Sequence, residues 1–377
     1  NVGAVSLDNP TIITDLSFST AVVNRNYRIP SSYEADLVYV CGSGERLDRK
    51  IASHYEEMYR AALAAPVPFK GKADVVVSGY YGFGNMGDES LLDVIAATLA
   101  EEIPDVKIAA LTRHPKADAK RTGLRCVSRF SPAAVGTIRG AKLLVSGGGS
   151  LLQDSTSRRS LKYYAGVLGI AEAFGVKSYV YANGIGPVRD KSNRKLTAKV
   201  VDRAAEVSVR DADSADELRR IGVTRENIRV TADPAFLIRP YDEHRLARTM
   251  DRIGVKDGFF AVSLRPPVQK NTDTSPMHVA DEVVDACVKI TKEYGLVPFV
   301  IPMQGVQDGE ICRYFAEKYN ERMQNSGRSA LLYTPENAPE LIGVLSKAAF
   351  VIGMRLHSII FASSAEVPVV GLEYDPK

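Results

Sequence analysis

From Ala73 onward the chain alternates short runs of β-branched and aliphatic residues with longer amphipathic stretches, and several of the short runs end in glycine. Val75-Val76-Val77 leads into Ser78-Gly79, Leu143-Leu144-Val145 into Ser146-Gly147-Gly148-Gly149, and Ser178-Tyr179-Val180-Tyr181 into Asn183-Gly184. Strands with no polar face must be covered on both sides. A parallel sheet flanked by helices does this, and parallel strands require a crossover helix between them. The rhythm therefore predicts an α/β chain with strands at 75–77, 107–111, 143–145, 178–181 and 206–209, and helices at 90–100, 163–174, 196–205 and 213–221. Such a doubly wound sheet binds ligands beyond the carboxyl ends of its strands.

A second series of the same kind begins near Phe259. It has expected strands at 260–264, 297–301, 330–333, 350–352 and 368–372, separated by helices at 279–294, 308–323 and 339–347. With 377 residues the chain has room for two domains. We place an N-terminal domain at 73–240 and a C-terminal one at 241–377, with the hinge at Ile238-Arg239-Pro240-Tyr241-Asp242. Residues 1–72 read differently: scattered apolar runs, a helical pattern from 44 to 65, and breakers at Pro66, Pro68 and Gly71. This stretch is expected to be a packing or docking extension without chemistry of its own. The first residue is not Met and the last motif falls at the end, so the sequence reads as part of something longer.

A net charge of +3 and the absence of basic runs interleaved with aromatics exclude a nucleic-acid partner from the expectations. Cys41, Cys126, Cys287 and Cys312 form no CxxC pair, so neither a metal site nor a disulfide framework is expected, and a reducing cytoplasm fits. No apolar run approaches the roughly 20 residues of a membrane span.

The expected chemistry sits at the strand ends. The loop Ser78–Glu89 carries four glycines between a strand and a helix, so its backbone amides can approach an anion. Its spacing is neither that of a P-loop nor that of a dinucleotide site. Asp88 there is either the helix N-cap or a catalytic carboxylate. Gly147, Gly148 and Gly149 form a second such loop, followed by Gln153 and Asp154, whose groups suit sugar hydroxyls. Arg210 and Arg265 follow strands and are candidate anion ligands, Arg210 equally a surface ion-pair partner of Asp211 or Asp213. Asp233 is as readily structural as functional. Met354-Arg355-Leu356-His357-Ser358 places a guanidinium two residues from an imidazole in a chain with five histidines. Alone it is either a polar turn or a site that grips an anion and moves a proton.

In series, the stretches SGYYGFGNMGDE (78–89), SGGGSLLQD (146–154), ANGIGP (182–187), SVRDADSADEL (208–218), TADPAF (231–236), MRLHS (354–358) and YDPK (374–377) resemble the polysaccharide pyruvyl transferase family. The resemblance runs from about 73 to 377 and excludes the first 72 residues. Within the family, it is nearest the bacterial enzymes that act on secondary cell wall polymers anchoring S-layer proteins. It implies two Rossmann-like domains facing a cleft in a GT-B-like fold, and a C-terminal helical segment after YDPK. It implies phosphoenolpyruvate as co-substrate, no metal and no other cofactor. The implied product is a 4,6-ketal on N-acetylmannosamine in a lipid-diphosphate-linked disaccharide. A cytoplasmic protein meeting such an acceptor is expected to touch the inner membrane face, near Lys162-Tyr163-Tyr164.

Under that reading Arg355, Arg265, Arg210 and the amides of Gly147, Gly148 and Gly149 bind the donor, with the C-terminal domain as the donor-binding half. His357 is expected to protonate the donor's methylene carbon, assisted by Lys377, while Asp88 orients or deprotonates the attacking hydroxyl. Tyr80, Asn85, Gln153 and Asp154 are assigned to the acceptor. The competing expectations are a GT-B glycosyltransferase using a nucleotide sugar and a non-catalytic glycan-binding protein of wall assembly.

Overall fold

A computed structural model describes Phe69 and residues 71–155, 157–255, 258–266 and 277–373. Lys377 with the rest of YDPK, and the expected N-terminal extension apart from Phe69, Gly71 and Lys72, lie outside the described residues.

The first sheet contains β1 (Val75–Ser78), β2 (Ile108–Thr112), β3 (Arg125–Ser128), β4 (Leu143–Gly147), β5 (Lys177–Asn183), β6 (Glu206–Val209) and β7 (Arg229–Val230). They lie in the order β3-β2-β1-β4-β5-β6-β7, all pairs parallel. The helices between them are α1 (Met86–Glu102), α2 (Pro115–Thr122), α3 (Pro132–Gly140), α4 (Arg158–Ala173), α5 (Lys191–Asp202) and α6 (Ala212–Arg220). Val75 to Val77 are buried, as their lack of a polar alternation requires. Short polar side chains start the helices: Asp190 accepts from the amides of Ser192 and Asn193, and Asp211 from that of Ser214.

A 3₁₀ turn (Pro234–Leu237) and α7 (Glu243–Ile253) lead to the second sheet. Its strands are β8 (Phe259–Ser263), β9 (Val297–Val300), β10 (Leu331–Leu332), β11 (Val351–Gly353) and β12 (Val369–Gly371). Their order is β10-β9-β8-β11-β12, again parallel. The helices are α8 (His278–Tyr294), α9 (Gly305–Met323), α10 (Ala338–Leu345) and α11 (Leu356–Ser364). The molecule is thus α/β with two Rossmann-like sheets. In each, the strand order reverses beside the first strand: between β1 and β4, and between β8 and β11. That reversal opens a crevice at the carboxyl ends.

The sequence rhythm matches most of these elements within a few residues. It misses α2, β3 and α3, the edge strand β7, and α7. Of the two roles left open for Asp88, the helix cap falls away, because the cap position is Asn85 and Asp88 lies inside the first turn of α1.

Helix α1 joins the two sheets. It follows β1, yet Leu91 belongs to the core of the second sheet, together with Ala235, Phe361 and Ile342. At its start the Met86 amide donates to the Met303 carbonyl at 3.0 Å, and Asn85 bridges Gln304 in antiparallel fashion. Fully burying a leucine stabilises by about 1.5–3 kcal/mol. Removing Leu91 also leaves a cavity where two cores meet. Leu91→Ala is expected to cost about 2–5 kcal/mol of stability, read as a lower urea midpoint. A change within 0.5 kcal/mol would contradict the bridging role of α1.

Candidate functional site

The two crevices meet at the N-terminus of α1. The loop after β1 approaches from the first sheet, and the loop after β11, carrying Arg355 and His357, from the second. Contact is possible because residue 87 is glycine. A Cβ there would stand 2.2 Å from Cγ and Nδ1 of His357, so the imidazole lies directly on the first turn of the helix. The His357 side chain is 11% exposed, and its Nε2 stands 4.0 Å from Oδ1 of Asp233. That nitrogen is buried and has no hydrogen-bond partner among the described residues.

Asp233 precedes the 3₁₀ turn and accepts from the amide of Ala235 at 3.0 Å. Its other oxygen accepts from Nη1 of Arg210 at 3.1 Å. Arg210 also donates to Ser150 at 3.0 Å, and its Nε lies 3.4 Å from Asp211. Asp233 therefore couples the arginine of the first sheet to the histidine of the second. Its structural role is visible in the turn that it starts, and the same carboxylate lies beside His357.

Arg355 is held more tightly. Its Nε and Nη2 donate to the two oxygens of Asp308 at 2.7 and 2.6 Å, and Nη2 also reaches Gln304 and Gln307. Asp308 is fully buried and accepts in addition from the Gln304 amide at 2.8 Å. The expected open fork for a donor anion is thus closed along one edge by an internal carboxylate. Planar guanidinium and carboxylate match edge to edge, which fixes the direction of Arg355 while spending two of its nitrogens. Asp308 carried no signal in the sequence beyond its place in a helix. Arg265 follows β8 and donates to the Pro266 carbonyl at 3.3 Å. It does not figure among the charges acting on His357, which come from Asp233, Arg210 and Arg355.

Asp88 lies beneath Gly149, where a Cβ would come within 2.7 Å of its Oδ1, and Asn85 donates to its other oxygen. Burial, with a smaller push from Glu89, raises its pKa to about 7, against the attraction of Arg210 and Arg355. Burial lowers His357 to about 4; Asp233 opposes the shift and the two arginines reinforce it. Both side chains are taken out of water, which favours the uncharged carboxyl at Asp88 and the uncharged imidazole at His357.

Both glycine-rich loops differ from the anion cradles expected of them. Glu89 turns back from α1 and its Oε1 accepts from the amides of Gly82, Phe83 and Gly84 at 2.8, 3.1 and 3.3 Å, so the first loop already holds the chain's own carboxylate. In the second, the Gly148 amide donates to Tyr181. Gly148 and Gly149 have φ of +70° and +69°, and their bare backbone admits Leu91 and Asp88 of α1. Packing between helix and loop therefore accounts for glycine at these positions.

The expected acceptor ligands divide. Tyr80 reaches the site: its phenol faces Gln304 and feels the charge of Asp88. Asn85 touches Asp88 as described. Gln153 accepts from Ser155 at 2.6 Å. Asp154 is a correction, because its carboxylate accepts from the amides of Arg189 and Asp190 and from Nδ2 of Asn193 at 2.8, 3.0 and 3.0 Å. Burial alone would raise its pKa, but these three donors hold it below the usual carboxylate value. Asp154 fixes the entry to α5, and both of its oxygens are engaged there. No cluster of three or more metal-ligating side chains occurs among the described residues.

Two substitutions probe this geometry. Asp308→Ala leaves the Arg355 charge buried and unpaired, and is expected to cost about 3–5 kcal/mol of stability by urea denaturation. Gly87→Ala displaces the imidazole toward solvent, so its titration by NMR should rise from about 4 toward the ordinary 6.5. An unmoved titration would mean that α1 does not set the ring's burial.

Residues 85–376 match the sequence profile of the polysaccharide pyruvyl transferases, which is most of the chain and includes Asp88, Arg210, Asp233, Asp308, Arg355 and His357. No curated protein matches. Among solved structures, Alr3699/HepE of Anabaena in complex with UDP-glucose superposes with a TM-score of 0.52 at 12% identity, covering 79% of both chains. The MnaA–UDP structure of S. aureus gives 0.53 at 12%, covering 79% of this chain and 78% of that one. UDP-GlcNAc 2-epimerase from Methanocaldococcus jannaschii gives 0.52 at 12%, covering 80% and 84%. These likenesses establish the GT-B-like pairing of two Rossmann-like sheets, and the profile establishes the lineage: the chain belongs to the polysaccharide pyruvyl transferase family and is a transferase that places pyruvyl groups on polysaccharide.

Proposed function

We propose that the pyruvyl donor is phosphoenolpyruvate and that the product is a 4,6-ketal on N-acetylmannosamine of a lipid-linked precursor of a secondary cell wall polymer, with release of phosphate. The observation that carries the donor half of this reading is the burial of Asp88 and His357 together on the first turn of α1, within the field of Arg210 and Arg355, which raises the Asp88 carboxyl to about 7. An enol phosphate becomes electrophilic once its methylene carbon takes a proton, which requires an acid that still holds one near neutrality. Asp88 meets that requirement. Its proton goes to the methylene carbon, and the electron pair of the double bond forms the new C–H bond. A sugar hydroxyl attacks the cationic carbon and gives its proton to His357 or to Asp88. The C–O bond to phosphate breaks, and the second hydroxyl closes the ketal. Each acceptor loses two hydroxyl protons, one replacing that supplied to the methyl group and one leaving with phosphate.

Arg210 and Arg355, with Arg265 at the neighbouring strand end, serve the donor's phosphate and carboxylate, and Lys377 is retained as a further cation for it. Because Arg210 and Arg355 already pair with Asp233 and Asp308, their contribution is directed hydrogen bonding more than net charge. Tyr80 and Asn85 remain on the acceptor side of Asp88. No cofactor is invoked. Among the described residues no helix is long and apolar enough to cross a membrane, and the place of action proposed is the cytoplasmic face.

The direct test supplies phosphoenolpyruvate and an N-acetylmannosamine disaccharide on a diphosphate lipid, and measures phosphate release and product mass. A mass increase of one pyruvate less water is expected. Transfer from a nucleotide sugar instead, with no phosphate released from phosphoenolpyruvate, would overturn the reading. The proton assignment has its own signature. With Asp88 as the acid, kcat/KM should fall as pH rises through about 7, since the reactive form is the protonated one. Asp88→Asn should lose at least about 100-fold in kcat and lose that limb with it. A limb near 7 that survives in Asp88→Asn would assign it elsewhere.

A further inference from the structure

The carboxyl edge of the first sheet continues past the catalytic junction toward β3, and beyond Tyr80 it carries groups that the pyruvyl-transfer chemistry does not use. Tyr80, after β1, stacks on Phe83 with ring centroids 3.9 Å apart and planes 7° from parallel. Over the same Phe83 ring lie two guanidiniums: that of Arg113 after β2, 4.9 Å from the centroid, and that of Arg129 after β3, 5.2 Å away. Arg129 is 7% exposed and also packs on Tyr163 at 4.0 Å and Tyr164 at 5.1 Å. Its Nε and Nη1 have no hydrogen-bond partner among the described residues. Neither Arg113 nor Arg129 has a carboxylate partner there, in contrast to Arg210 and Arg355.

A buried guanidinium without an anion is costly, and ring faces only partly compensate it. Arg129 also lines a groove of about 280 Å³ between α3 and α4. The groove is walled by Ala134, Val135, Ile138, Val167 and Ile170, with Lys162 on its rim. Phe130 stands at its edge, 74% exposed. One end thus offers uncompensated positive charge, the remainder is apolar, and the Tyr80–Phe83 stack connects it to Asp88. The matching ligand is an anion joined on one side to the reacting sugar and on the other to a hydrocarbon.

We propose that this groove binds the phosphate linkage and the first carbons of the hydrocarbon chain of a lipid-carried acceptor, with the phosphate on Arg129, Arg113 and Lys162. The proposal rests on the pyruvyl-transfer reading for the identity of the sugar, but the groove itself can be tested without turnover. The probe is decyl diphosphate, titrated by calorimetry into wild type, Arg129→Gln and Phe130→Asp. Position 130 is exposed, so Phe130→Asp keeps the test valid if Arg129→Gln does not fold.

Each variant is expected to weaken decyl diphosphate binding roughly tenfold, the order of one charge-assisted contact or one buried ring. With phosphoenolpyruvate as donor, the ratio of kcat/KM for the alkyl-diphosphate disaccharide to that for the same disaccharide as a methyl glycoside should fall by a similar factor. Unchanged decyl diphosphate affinity overturns the proposal, as does an equal loss with both acceptors. A parallel loss of phosphoenolpyruvate affinity would make the groove part of the donor site. Lost binding to phosphatidylglycerol vesicles with decyl diphosphate affinity intact would make it a bilayer contact; both outcomes overturn the assignment. Wild type that binds decyl diphosphate in this groove yet transfers nothing from phosphoenolpyruvate would refute the donor reading alone.

Discussion

The seating of α1 between the two sheets is the constraint from which the rest of the site follows. A crossover helix ordinarily packs on the sheet that it serves. Here its N-terminal turn must also receive the loop after β11 and place Leu91 in the second core. Three positions have to be free of side chains for this. Residue 87 yields space to His357, residue 148 to Leu91 and residue 149 to Asp88. The same seating excludes water from the imidazole and the carboxylate. Packing and acid–base chemistry are therefore one arrangement, and the interface between the domains is also the floor of the site. Movement of one sheet relative to the other would have to break the Met86–Met303 backbone bond and expose Leu91.

Electrostatics at this junction depend on internal pairing. Arg210 answers Asp233, Arg355 answers Asp308, and Glu89 is answered by three loop amides and by Arg121 at 3.1 Å. Asp88 and His357 have no equally strong partner, and these two show opposite shifts caused mainly by burial. A site built in this way holds its arginines in place through internal carboxylates. It also explains why Arg355 has so little latitude: both oxygens of Asp308 and the side-chain oxygen of Gln304 accept from it and set its direction.

The sequence made the alternation of strands and helices legible because most of the parallel strands are short, apolar and buried on both faces. It failed between 115 and 140, where those conditions lapse. Helix α2 reads Pro-Lys-Ala-Asp-Ala-Lys-Arg-Thr with little apolar content, and β3 is an edge strand whose four residues are only half-buried. Arg129 follows that strand and was lost with it. At the site, His357, Arg355, Arg210 and Asp88 could be picked out because glycine-rich loops and strand ends flag ligand-facing positions. Their mutual pairing could not, since Asp308 and Asp233 reach them across long stretches of sequence. Asp154 was misassigned for a related reason. A carboxylate that ties down two amides of a distant loop has the same local sequence as one that meets a sugar.

The order of strands along the first sheet gives these parts a direction. The carboxyl edge passes from Arg210 after β6, through the Gly148–Gly149 loop after β4, to Tyr80 after β1, then Arg113 after β2 and Arg129 after β3. The second sheet meets this edge at α1, where His357 lies on Gly87. Over β1, β2 and β3 a ligand that is long, and anionic at one point along its length, would meet Arg113 and Arg129, which have no carboxylate partner among the described residues. The compact donor needs no such track and fits the arginines already oriented by Asp233 and Asp308. In the proposed reading the donor lies among the arginines oriented by Asp233 and Asp308, and the acceptor reaches Asp88 along the edge that leads to β3.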